Sequence, residues 1–256
     1  MQLAKSAQPF TAPVGHAPMN ALLASLPPDE YQRVSAELTW RPLRVRQQLQ
    51  KHGEPISEIV FPGRSVCAIT HSMEDGGTVE VASVGREGFV GVGAVFGNMV
   101  ASADAFVHLA NESAAVMSTE AFRRELARRG RFFEAVMGYV QVFLSGLMQS
   151  VACNGLHSAD QRCSRWLLST HDRIQQDEFP LTHEFLAVML GVRRPTVTLV
   201  MADLTRAGAI SHVRGHVRIV DRQVLEARSC ECYRNIRRSF DQLAPIGVRT
   251  AVAAVQ

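Results

Sequence analysis

The sequence predicts an α+β chain: a β-rich first half, a long helix at mid-chain and a C-terminal winged helix-turn-helix. Three observations predict this. Over residues 41–118 short apolar runs alternate with glycine-bearing turns, the spacing of a sandwich or barrel. Over 132–154 apolar side chains recur every three or four residues. Over 181–220 two short helical patterns flank Gly191, and an alternating hairpin pattern follows around Gly215.

Taken in order, residues 1–18 mix Pro, Gly, Ala and Gln without a period and read as a flexible tail. Residues 20–26 form a short amphipathic helix stopped by Pro27 and Pro28. Asp29 caps a second helix through Leu38, with Tyr31 and Val34 inward. Strands are expected at 43–49, 58–61, 65–70, 78–83, 105–109 and 113–117, and Asp75-Gly76 is a hairpin turn. Ser118 or Thr119 caps a helix to Leu126. On the long helix Phe133, Val136, Val140, Phe143, Leu147 and Val151 approximate a heptad seam, read as the interface of a homodimer. Asn154 and Gly155 read as a hinge. A helix over 160–174 follows, with Cys163, Trp166, Leu167 and Leu168 inward, then a polar link over 175–180. Residues 222–240 read as one charged helix.

In the reading head, Thr182 is an N-cap and Glu184 sits near the positive helix end. Phe185, Leu186 and Met189 form a buried stripe, and Ala187 permits a close crossing. Gly191 supplies a left-handed stop. Pro195 fits only in a first turn. Val197, Val200, Met201 and Leu204 then share one face of a second helix. Left outward are Arg193, Arg194, Thr196, Thr198, Leu199 and Arg206. Guanidinium and hydroxyl groups at a helix N-terminus suit phosphates and base edges in a major groove. The hairpin over 212–218 is a two-stranded wing with a basic tip at Arg214 and His216.

The net charge is only +3, so any nucleic-acid contact must come from a localised basic surface. Five scattered cysteines argue against a disulfide framework and fit a reducing cytoplasm. Apolar runs are read as too short to span a membrane, and no secretory signal is expected. No serine nucleophile elbow, paired catalytic carboxylates or phosphate loop is present, so the chain is not expected to be an enzyme. Cys230-Glu231-Cys232 invites a metal or redox reading. No second cysteine pair or histidine pair lies near it in sequence, so exposed inert thiols, no metal and no cofactor are expected. His52, His71 and His108 are read as structural.

The stretch LTHEFLAVMLGVRRPTVTLVMADLTRAGAI resembles the winged helix-turn-helix of the catabolite activator/fumarate-nitrate regulator (Crp/Fnr) family. EPISEIVFP and GFVGVGAVFG are similar to that family's cyclic-nucleotide-binding β-roll. The resemblance implies a β-roll sensor over 19–130, a dimerisation helix over 131–155 and a winged helix-turn-helix over 156–225, with a C-terminal helix and tail over 226–256. It implies that Thr182 and His183 touch the DNA backbone and that Arg194 reads a base. Pro195 stands where a base-reading glutamate is common, and Leu199 where arginine or serine is common. In the roll Val92 occupies the position of the ribose-binding glutamate, between Gly91 and Gly93. Ala103 and Asp104 occupy that of the phosphate-binding Arg-Ser pair. A valine accepts no hydrogen bond, and an aspartate repels a phosphate. The expected effector pocket is therefore not a cyclic AMP site of the usual kind, and the effector stays open. Expected partners are double-stranded DNA, a second copy of the chain and RNA polymerase. Rival readings are a metal- or redox-responsive regulator using Cys230 and Cys232, or a winged helix serving protein contacts alone.

Overall fold

Two short helices lead into the roll, α1 (Ala21–Ala24) and α2 (Pro28–Ser35), in a computed structural model that describes residues 19–97 and 99–242. The tail expected over 1–18 and the alanine- and valine-rich end from Pro245 lie outside the described residues. Asn20 caps α1 and also donates to the carbonyls of Pro62 and Gly88, 3.0 and 2.8 Å away. Pro27, not Asp29, stands at the α2 cap, and α2 ends at Ser35, short of Leu38. Pro28 presets the helical φ, which leaves Asp29 in the first turn, where its charge suits the positive helix end.

The strands are β1 (Thr39–Pro42), β2 (Gln48–Gln50), β3 (Glu58–Phe61), β4 (Val66–Ser72), β5 (Thr78–Val84), β6 (Asp104–Leu109) and β7 (Ser113–Ser118). They form two antiparallel sheets, β1-β7-β3 and β2-β6-β4-β5. The strand expected over 43–49 is mostly a turn: Arg46 takes φ 67°, which breaks a ladder, and pairing occurs on either side of it. Gly76, at φ 85°, turns the β4–β5 hairpin as its Asp-Gly sequence requires.

The two sheets enclose a core around Phe61, Phe89 and Phe122, whose rings lie 5.4–6.5 Å apart. In β4, Cys67 points into this core while Val66 and Ala68 point to the opposite face. The second face is also buried, because the C-terminal half of the chain docks on it.

After α3 (Thr119–Ala127), capped by Ser118, comes the long helix α4 (Arg131–Leu156). Glu30 caps α4 from outside, its two oxygens accepting from the backbone N–H of Arg131 and Phe132 at 2.9 and 3.0 Å. Asn154 and Gly155 lie inside α4, so the expected hinge is displaced to His157 and Ser158. There Ser158 and Gln161 form a capping box that starts α5 (Ala159–Ile174). Contrary to the expectation from run length, α4 is long and apolar enough to cross a membrane by length and composition. Its first half spends that apolar surface in the roll: Phe132, Ala135, Val136, Tyr139 and Val140 are core residues.

The head follows as β8 (Glu178–Pro180), α6 (His183–Leu190), α7 (Arg194–Arg206), β9 (Ile210–Val213) and β10 (His216–Ile219). The wing has three strands rather than two, in the order β8-β10-β9, because the polar link pairs Phe179 with Val217. The expected single C-terminal helix is two, α8 (Arg222–Arg228) and α9 (Cys232–Gln242). Ser229 leaves the helical region at φ −77°, ψ 155° and separates them.

Candidate nucleic-acid interface

Thr182 caps α6 by accepting from Phe185 N at 3.2 Å, and Gly191 stops the helix at φ 60°. α6 and α7 then turn by 106°, within the range of helix-turn-helix pairs. Val197, Val200, Met201 and Leu204 anchor α7 inward, together with Leu186, Met189 and Leu190 of α6. This packing leaves Arg193, Arg194, Pro195, Thr198, Leu199 and Arg206 exposed, with Thr196 half-buried. Leu199, 69 % exposed, has no partner in the apolar core.

Most of the polar groups on this face are held by one another. Arg194 Nε lies 2.9 Å from Glu184 Oε1, and Arg206 Nη1 lies 2.6 Å from Asp203 Oδ1. His183 Nδ1 is 3.1 Å from Thr198 Oγ1, and its ring stacks on His212 at 4.7 Å. Burial, then His212 and Arg194, hold the His183 pKa below its usual value, so it meets a ligand as a neutral imidazole at neutral pH. At the wing tip Arg214 adopts φ 49° and is exposed beside His216. Arg218 donates from Nε and Nη2 to Glu178 Oε2, at 3.1 and 2.6 Å. Among the described residues Arg193 and Arg214 have no ion pair.

The head is bolted to the roll. Phe185 stacks on His108 at 3.9 Å, with Trp166 against both rings. Arg173 of α5 pairs with Glu87 at 2.8 Å and donates to Ser83 O at 3.3 Å. Burial opposes the Arg173 charge, but Glu87 and Glu80 together more than offset it and hold its proton more tightly than usual. Nothing in the sequence signals this seam directly, because its residues come from four separate elements.

At the expected effector pocket, Gly91 has φ 118° and precedes a 3-10 turn, Val92–Phe96. A Cβ at Gly91 would meet Ile59 Cδ1 at 2.5 Å, and one at Gly88 would meet the Tyr139 ring at 1.9 Å. Close packing of the chain's own side chains therefore explains both glycines. Val92, Gly93, Ala103 and Asp104 are half-buried. The Asp104 carboxylate accepts from His52 N at 2.9 Å, so it serves a local loop. Beside Gly91, the buried Gln50 Nε2 has no hydrogen-bond partner, a donor that sequence reading did not single out.

On α4 the expected seam divides. Val136 and Val140 are buried in the roll core, while Phe133, Phe143 and Leu147 are half-buried, and only Val151 stands free. The reason is rotation: the helix spends that face on the roll and on α9. The uncovered stripe is Met137, Leu144, Met148 and Val151, at 38, 45, 66 and 75 % exposure. The cysteines also differ from expectation. All five are buried, and Cys230 and Cys232 meet Cys153 of α4 and His157 just past its end, partners that only the fold brings close.

A β-roll on a long helix, followed by an exposed helix-turn-helix with a wing, defines a class of roll-linked winged-helix proteins. Residues 161–228 match the Crp-like helix-turn-helix domain. A protein described as a Crp/Fnr-family regulator from Eubacterium rectale is similar, with a TM-score of 0.61 at 15 % identity, over 80 % of this chain and 96 % of that one. A CRP-family regulator from Thermus thermophilus has a TM-score of 0.57 at 18 % identity, over 74 and 96 % of the two chains. The c-di-GMP-responsive global regulator CLP of Xanthomonas campestris has 0.58 at 16 %, over 74 and 97 %. No curated protein matches the chain significantly. The chain thus carries a Crp-like helix-turn-helix domain on the fold of the Crp/Fnr-family transcription regulators.

Proposed function

We propose that the chain is a sequence-specific DNA-binding regulator of transcription that acts as a homodimer. The observation that carries this reading is the outward face of α7. A helix seated on one apolar face offers Arg194, Thr198 and Leu199 to solvent near its N-terminus and Arg206 at its C-terminal end, an arrangement suited to a major groove. Arg194 leaves Glu184 and donates to a guanine edge, while Arg193, Thr182 and Thr196 hold phosphates; His183, whose Nε2 is buried and whose Nδ1 faces Thr198, supports the face from behind. Arg214 and His216 of the wing meet the flanking backbone. Pro195 and Leu199 offer only apolar contact, so the operator differs from the family's usual one.

A second copy docks along Met137, Leu144, Met148 and Val151. These side chains are spaced by seven, four and three residues, which is a heptad seam. The roll is the sensor. Its cradle is not built for cyclic AMP in the usual way: Val92 replaces an acceptor, and Asp104 adds negative charge where a phosphate would lie. The cytoplasm, and RNA polymerase as a further partner, complete the reading, and no catalysis is assigned to the chain.

Salt titration of DNA retardation with wild type and Arg194→Ala tests it. Affinity should fall steeply as salt rises, because phosphate contacts release counterions. The variant should keep that slope and lose preference at one base position. Salt-insensitive capture of DNA, or of protein alone, would favour the protein-contact reading.

A further inference from the structure

Ligand-type side chains from two distant parts of the chain converge at the end of α4. Cys153 lies in the last turn of α4, and His157 is the residue that caps it, its N–H bonded to the Cys153 carbonyl, so the two are close. Cys230 comes from the break between α8 and α9, and Cys232 is the first residue of α9. The three sulfurs and one imidazole nitrogen all lie within 4.8 Å of one another. Cys153 Sγ and Cys230 Sγ are 3.5 Å apart, and Cys232 Sγ is 3.5 Å from His157 Nδ1.

These separations have the size of a coordination shell. Zinc bonds of about 2.3 Å to sulfur and about 2.0 Å to nitrogen put tetrahedral ligand atoms roughly 3.5–3.8 Å apart. Outer groups also fit. His157 Nε2 lies 3.3 Å from Glu231 Oε1, an arrangement that fixes the tautomer and leaves the Nδ1 lone pair for a metal. Gln149 Nε2 donates to Cys232 Sγ at 3.0 Å, as outer donors do to thiolate ligands. The three cysteines are buried, 2 % exposed or less, and form a cluster apart from the two main cores. Three thiolates and a divalent ion leave one negative charge, and Arg162 and Arg165 lie close enough to act on it.

We propose that Cys153, His157, Cys230 and Cys232 form a site that binds one zinc ion and fastens the C-terminal arm to the long helix. Soft thiolate donors with one imidazole select zinc over magnesium or calcium. Beyond the clamp, Ile236 and Phe240 of α9 face Val142, Phe143 and Leu147 of α4 across a shared groove. The ion therefore holds the arm against α4 at the joint where the head begins. Zinc binding here does not depend on the head touching DNA.

The test is metal content. Full-length protein purified under reductant and desalted should hold about one zinc per chain by elemental mass spectrometry. Replacement by cobalt should give thiolate charge-transfer and tetrahedral d–d bands. Cys232→Ala and His157→Ala should each lower zinc retention at least about tenfold, a change of roughly 1.4 kcal/mol or more, with helical content kept. Cys67→Ala, whose thiol lies in the roll core, should retain full zinc. Wild type without zinc and without cobalt bands overturns the proposal, as do folded variants that retain full zinc. So does a Cys153–Cys230 disulfide with no zinc in protein isolated without reductant. If the variants lose their helices, the wild-type stoichiometry and cobalt spectrum decide alone.

Discussion

Arg194 is exposed and already occupied. Its pair with Glu184 is a surface ion pair, 64 and 62 % exposed, of a kind that contributes about 0–1 kcal/mol. In the proposed complex a phosphate or guanine edge would compete with it at small cost. Arg194→Ala should relax preference at one base position and lose about 1–3 kcal/mol of discrimination, measured on a panel of single-base operator variants. Glu184→Gln should tighten DNA binding several-fold, since it releases Arg194 and removes a negative charge beside the phosphates. Weaker binding would show that Glu184 supports the site rather than competing for it. Glu87 is the opposite case, a pair only 14 and 10 % exposed. Glu87→Ala leaves the buried Arg173 without its ion-pair partner, with only Glu80 and two backbone carbonyls near it, and should cost about 3–5 kcal/mol in urea unfolding, whereas a loss under about 1 kcal/mol would mean that water or Glu80 takes over.

At the scale of elements, the dock between α6 and the roll carries a pH dependence. His108 is buried between Phe185 and Trp166, its Nε2 has no partner, and burial pushes its pKa down to about 3. The unfolded value is about 6.5, so below that pH the unfolded chain binds a proton that the folded chain refuses. Stability from this group is present above about pH 6.5 and is lost as pH falls toward 3, at about 1.4 kcal/mol per unit. His108→Phe should flatten the decline between about pH 6.5 and 5 by that slope in urea midpoints; an unchanged slope would place the proton elsewhere. For α4, Leu144→Glu should give folded monomers by sedimentation, because Leu144 is on the free stripe. Val140→Glu should instead lower the yield of folded protein, since Val140 is 3 % exposed in the roll core. The periodicity of α4 was legible, but its facing was not. An apolar helix buried on one side and exposed on another has no polar face to mark orientation. Likewise Arg46 carries no turn signature, so the run over 43–49 reads as a strand. Cys153 and Cys230, 77 residues apart, give no linear cue to a shared site.

For the whole molecule, the plan of roll, long helix and winged head was legible, because each region has its own period and its own glycine or proline stops. Gly191, Pro195 and the α7 stripe lie where local chemistry requires them. The docking of head on roll was not legible. It depends on a sheet buried on both faces, and β4 alternates Val66, Cys67 and Ala68 without a polar position to show it. In the proposed dimer, two copies joined along α4 would present two α7 helices related by a two-fold axis, which would fit half-sites about one duplex turn apart. The most direct measurement is sequencing of random duplex DNA selected by the purified full-length chain. The account predicts enrichment of an inverted repeat whose half-sites are centred about 10 base pairs apart, with a guanine position in each that Arg194→Ala no longer selects. Recovery of DNA with no shared sequence, or of a single asymmetric site equally favoured by Arg194→Ala, would contradict it.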